Sequence, residues 1–88
     1  MISAEVTIEN SEGIHIEPAE LITREAEKYK ASVHLKTEYM DVNAKSIINL
    51  VSASFRKGDV VTVVCDGPDE KKALKAIKKL LSSELEDR

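Results

Sequence analysis

"ISAEVTIE", residues 2–9, alternates apolar and polar side chains without a break. Ile2, Ala4, Val6 and Ile8 point one way, and Ser3, Glu5, Thr7 and Glu9 the other. That is the period of a strand with one buried and one wet face. A strand of this kind belongs to a sheet covered on one side only, and the rest of the chain is read from there. "NSEG" (10–13) breaks the strand. "SVHLKT" (32–37) alternates again, with Val33 and Leu35 inward and His34 on the wet side as a surface residue. A turn at Glu38 leads to a weak partner strand, "YMDVN" (39–43). "GDVVTVVC" (58–65) is the most apolar of these stretches and is expected at the centre of the sheet.

Between the strands the period changes from two to about 3.6. Residues 16–29 read as a helix with Pro18 in its first turn, where a missing N–H costs nothing. Ala19, Ile22, Ala26 and Tyr29 form its buried face, and Glu20 and Arg24 an outward i, i+4 pair. "SIINLVSA" (46–53) reads as a short helix with Ser46 as N-cap. A last helix runs from Pro68 or Asp69 to about residue 85, with Leu74, Ile77, Leu81 and Leu85 on one face. The order β-α-β-β-α-β-α, with wet-faced strands and single-striped helices, predicts an α+β, open-faced β-sandwich: a four-stranded antiparallel sheet with three helices on one face. Residues 1–88 are expected to form a single domain.

Composition narrows the function classes. The chain is 42% hydrophobic and 33% charged, with a net charge of −3. No basic stripe with interleaved aromatics exists, so a nucleic-acid role has no support. The lysine-rich last helix reads as a solvated face. One cysteine, Cys65, leaves no internal disulfide, and at the end of an apolar strand it reads as a small hydrophobe. No apolar run approaches the length of a membrane span. The N-terminus lacks the basic start of a signal peptide, and a cytoplasmic location is the expectation.

Few residues can carry chemistry. His15 follows a glycine-containing turn and precedes the first helix, whose leading amides lack intrahelical partners and attract negative charge. It reads either as a capping loop residue or as an acceptor of a phosphoryl group held by those amides. His15-Ile16-Glu17 also begins like the H-x-E of zinc deaminases, but that signature needs a later C-x-x-C, and Cys65 stands alone. No metal and no cofactor are expected. Ser46 reads as a helix cap and, compatibly, as a phosphosite, where added negative charge meets a helix N-terminus. Ile47, Ile48 and Val51 crowd a helix too short to bury every side. They read either as core or as an exposed docking patch.

At this point the residues match a family. The chain resembles HPr, the histidine-containing phosphocarrier of the bacterial phosphoenolpyruvate-dependent sugar phosphotransferase system. The match runs from residue 2 to about residue 85. It rests on "GIHIEPA" (13–19), "NAKSIINL" (43–50) and "VVTVVCDGPDEKKAL", three motifs at the family's spacing. The resemblance implies that His15 takes a phosphoryl group from enzyme I and passes it to sugar-specific IIA components. It also implies a serine kinase that phosphorylates Ser46, and a catabolite-control transcription regulator that binds the product. A monomer is expected.

The departures from the family pattern bear on the same site. Glu17 stands where the family has an arginine that steadies the phosphoryl group. Ile16 replaces a small residue, Glu20 stands where small or polar residues are usual, and Ser54 where glycine is common. Two unit charges 4 Å apart interact by about 1 kcal/mol in water. A phosphoryl group beside Glu17 would therefore lose on the order of 1–3 kcal/mol, against about 0.3–1 returned by the helix N-terminus. Arg24, about 10 Å along the helix axis from Glu17, is a poor substitute. Glu17 is thus expected to detune His15. Three readings stay open: a phosphocarrier with a labile phosphohistidine, a regulatory relative read through Ser46, and an interaction module using the isoleucine patch without phosphorylation.

Overall fold

The alternating stretches pair into one sheet in a computed structural model that describes residues 1–83. The elements are β1 (Ile2–Thr7), α1 (Ile16–Ala26), β2 (Ser32–Lys36), β3 (Asp41–Asn43), α2 (Ile47–Ala53), β4 (Val60–Asp66) and α3 (Glu70–Leu81). The sheet order is β1-β4-β2-β3, with every neighbouring pair antiparallel. β4 therefore lies between β1 and β2, as its apolar run predicts. Register follows the alternation: Val6 faces Val61, Ala4 faces Val63, and Val63 in turn faces Leu35. A slip of one residue would turn every one of these side chains to the wet face.

The buried set is one-sided. Val6, Val33, Leu35, Val42, Val61, Val63 and Cys65 are buried, while Glu5, Thr7, Lys36 and Asp41, which alternate with them, are exposed. All three helices cover the first face. α1 contributes Pro18, Ala19, Ile22, Thr23 and Ala26, and α3 contributes Ala73, Ile77 and Leu81. Burial pushes the Cys65 thiol above its ordinary range, as suits a packing residue. On the open face His34 Nδ1 lies 2.6 Å from Asp41 Oδ1 across the β2–β3 pair. That contact holds the Asp41 carboxyl below the usual carboxylate range.

Element ends differ from the expectation by a few residues: β1 stops at Thr7 rather than at residue 9, β4 runs over Val60–Asp66 rather than 58–65, and three further ends differ for a local reason. The helix predicted over 16–29 stops at Ala26, because Lys28 and Tyr29 bond three residues back, to Glu25 and Ala26, and tighten the last turn. The next amides, of Lys30 and Ala31, donate to Asp69 instead. Tyr29 still packs half-buried against the core, with its hydroxyl on Glu25. The strand predicted over 39–43 begins only at Asp41. The Thr37 hydroxyl accepts the amides of Tyr39 and Met40 and holds them in the turn. α3 ends at Leu81, where the Ser82 and Ser83 hydroxyls bond carbonyls of its last turn. Leu85, expected on the same face, lies outside the described residues. No ion pair joins Glu20 and Arg24, a pair that would contribute little at an exposed helix surface.

Candidate functional site

The loop that presents His15 is built by a glycine. Gly13 has φ +74°, a conformation side chains disfavour, and its Cα faces the backbone of Phe55 and Arg56. A Cβ there would overlap the Phe55 carbonyl oxygen. Asn10 closes the turn: its side-chain amide donates to the Gly13 carbonyl, and its own carbonyl accepts the Gly13 amide at 2.9 Å. Ile14 N–H then donates to the Phe55 carbonyl at 2.9 Å and turns its side chain into the core. These bonds lock the 10–14 loop to the segment leaving α2.

His15 follows as the N-cap of α1. Its carbonyl accepts the Ala19 amide at 2.9 Å, but its side chain makes no capping bond. The imidazole is 48% exposed. Pro18 supplies no N–H. The amides of Ile16 and Glu17 have no partner among the described residues, so two donors stand open beside the ring. Glu17 is exposed in the first turn, where a carboxylate suits the helix dipole. The carboxylate that reaches the imidazole is Glu12, with Oε2 3.6 Å from His15 Nε2.

The imidazole borders a hollow of about 260 Å³ lined by Glu12, Ile14, His15, Val51, Ser54, Phe55 and Arg56. Ser54 caps α2 in the left-handed region at φ 56°. That geometry explains why glycine suits the position. Arg56 is the residue the local sequence does not point to. It follows α2 and has no sequence link to His15; the Ile14–Phe55 bond and the paired bonds of Ile8 with Gly58 and Asp59 bring the two segments together.

The second expected site lies at the start of α2. Ser46 is extended at φ −116° and accepts the Asn49 amide at 3.2 Å, the N-cap bond. Ile48 is 77% exposed and Ile47 is partly exposed. Val51 is half-buried and lines the His15 hollow, so it belongs to both core and surface. Ile16, beside His15, adds a further exposed apolar side chain at 60%. Among the described residues no cluster could hold a metal ion, and no helix is long and apolar enough to cross a membrane.

This arrangement matches known proteins along almost its whole length. The family model for the PTS HPr component phosphorylation site matches residues 2–83. The phosphocarrier protein HPr of Mycoplasma pneumoniae is 39% identical over 82 residues, covering 92% of this chain and 93% of that one. The HPr-like protein Crh of Bacillus subtilis is 32% identical over 85 residues, covering 97% of this chain and all of its own. The crystal structure of HPr-C-His from Thermoanaerobacter tengcongensis superposes with a TM-score of 0.91 at 32% identity, covering 100% of this chain and 99% of that one. With the sheet order, the one-sided helices and an exposed histidine at the head of α1, these matches show that the chain belongs to the HPr family of phosphocarriers of the phosphotransferase system.

Proposed function

We propose that this protein carries a phosphoryl group on His15, taken from enzyme I and delivered to sugar-specific IIA components. The observation that carries the reading is the exposed imidazole at the N-cap of α1, with the unpartnered amides of Ile16 and Glu17 beside it. The Glu12 carboxylate faces Nε2 and favours the proton there, which leaves the Nδ1 lone pair as nucleophile. In the transfer the Nδ1–phosphorus bond forms as the donor's bond to phosphorus breaks, and the Nε2 proton stays in place. The onward transfer is the reverse, with an acceptor nucleophile on the IIA component. The protein is thus a carrier rather than an enzyme with turnover of its own, and it uses no cofactor. Ile47, Ile48 and Val51, the last of which lines the hollow, are the docking patch for these partners.

Intact mass after incubation with phosphoenolpyruvate and enzyme I tests the reading. One added phosphoryl group is expected on the wild type and none on His15→Ala. An unmodified wild type overturns it.

A second role rests on Ser46, which is half-buried at the start of α2 with its hydroxyl oxygen already on the Asn49 amide. We infer that a serine kinase phosphorylates it and that a catabolite-control regulator reads the product. The relatedness to HPr-like Crh proteins supports this role. ATP and the serine kinase should add a phosphoryl group that Ser46→Ala abolishes.

A further inference from the structure

We propose that Arg56 is the cation that holds the phosphoryl group on His15, taking the part that the residue at position 17 plays elsewhere in the family. The inference rests on the phosphocarrier reading of His15. Glu17 puts a negative charge where the reaction needs a positive one, and Arg24 is two helical turns away. Arg56 is placed to restore the balance from another element. It lines the hollow that His15 borders. Its backbone is held on both sides: its N–H donates to Asp59 Oδ2 at 2.9 Å, its carbonyl accepts the Asp59 amide at 3.0 Å, and the neighbouring Phe55 carbonyl accepts Ile14 N–H. Its Cα would lie 3.1 Å from a Cβ on Gly13, so the root of the side chain is fixed against the His15 loop.

The head group is uncommitted. Among the described residues the Arg56 guanidinium makes no ion pair and no hydrogen bond, and the residue is exposed. An anchored arginine with a free fork beside an exposed nucleophile suits a phosphoryl group, whose oxygens accept two parallel N–H donors. The same charge offsets Glu12 and Glu17, which otherwise make the surroundings of His15 wholly acidic. Lysine, as a point charge, would replace it only in part.

The test uses two phosphoryl donors, so that holding the group is separated from docking a partner. The first is enzyme I with phosphoenolpyruvate. The second is phosphoramidate, a small histidine-phosphorylating reagent that releases ammonia as the Nδ1–phosphorus bond forms. Wild type, Arg56→Gln, Arg56→Lys, His15→Ala and the double variant Glu17→Arg/Arg56→Gln are compared. Arg56→Gln is expected to form phosphohistidine roughly ten- to a hundredfold more slowly with both donors, the range of a lost charge-assisted hydrogen bond. Arg56→Lys should fall between the two, and Glu17→Arg should rescue Arg56→Gln. Phosphorylated wild type with an unchanged Arg56→Gln overturns the proposal and leaves the carrier reading standing. A defect with enzyme I alone also overturns it, because Arg56 would then contact the partner and not the phosphoryl group. A wild type that takes up no phosphoryl group from either donor overturns the carrier reading, and this proposal with it.

Discussion

At the scale of single residues, the charges around His15 divide by where they reach. Glu12 lies 3.6 Å from Nε2, while Glu17 stays exposed on the first turn of α1. Glu17 suits the helix dipole, and its proposed effect on the site, through its field, has the opposite sign. Replacing it by arginine should lower stability by about 0.3–1 kcal/mol, because a cation is misplaced at a helix N-terminus. The same change should raise the rate of phosphohistidine formation by enzyme I, most at low ionic strength, where charges are least screened. A time course at two salt concentrations, with denaturant midpoints for both proteins, measures the two effects. Equal phosphorylation rates at both salts would show that the carboxylate does not reach the site. His15, Glu17 and Ser46 are legible in the linear sequence because each belongs to a short motif at a helix start. Arg56 is not, because His15, with which it lines one hollow, lies in a different motif and no local periodicity connects them.

At the scale of elements, α2 is the informative case. Its seven residues are too few to hold a helix by propensity alone, so the Ser46 cap and the buried Leu50 carry much of its stability. Ser46→Ala should cost about 1 kcal/mol in chemical denaturation. Ser46→Asp should cost less, since a carboxylate caps as well and suits the dipole. An alanine variant with the wild-type midpoint would remove the cap from the account. The same shortness leaves Ile48 77% exposed. Ile48→Asp should leave the circular dichroism spectrum and the denaturation midpoint near wild type while weakening binding to enzyme I in a titration. Loss of folding would assign Ile48 to the core instead. Helix ends were the least legible feature of the sequence. α1 stops before Tyr29 although the apolar spacing continues, because Lys28 and Tyr29 bond three residues back, and the amides after them, of Lys30 and Ala31, go to Asp69 from across the molecule.

At the scale of the whole molecule, a few long-range polar bonds tie the layers together. The Thr23 hydroxyl on α1 donates to the Ala44 carbonyl in the β3–α2 connection at 3.0 Å. Lys45 Nζ reaches the Tyr29 carbonyl at 2.8 Å. Asp69, at the head of α3, accepts the amides of Lys30 and Ala31 at 2.9 and 2.8 Å, and those two bonds hold its carboxyl below the ordinary aspartate range. A carboxyl with a lowered folded value stabilises at and above the ordinary aspartate range. The contribution is lost as the pH falls through the lower folded value. The wild type should therefore exceed Asp69→Ala in denaturant midpoint at neutral pH, with the gap closing under acid conditions. A gap that stays constant down to pH 3 would mean that Asp69 acts without its charge. The sequence by itself determined the strands, the three helices and the side each turns to the core, and it pointed to the two candidate sites at helix starts. All of these follow from periodicity and capping, which act over a few residues. Only the tertiary structure decided which carboxylate comes within 3.6 Å of His15, where the helices stop, and that Arg56 lines the hollow His15 borders. The placing of Arg56 depends on backbone bonds between segments far apart in the chain, such as Ile14 to Phe55, and no local pattern encodes it.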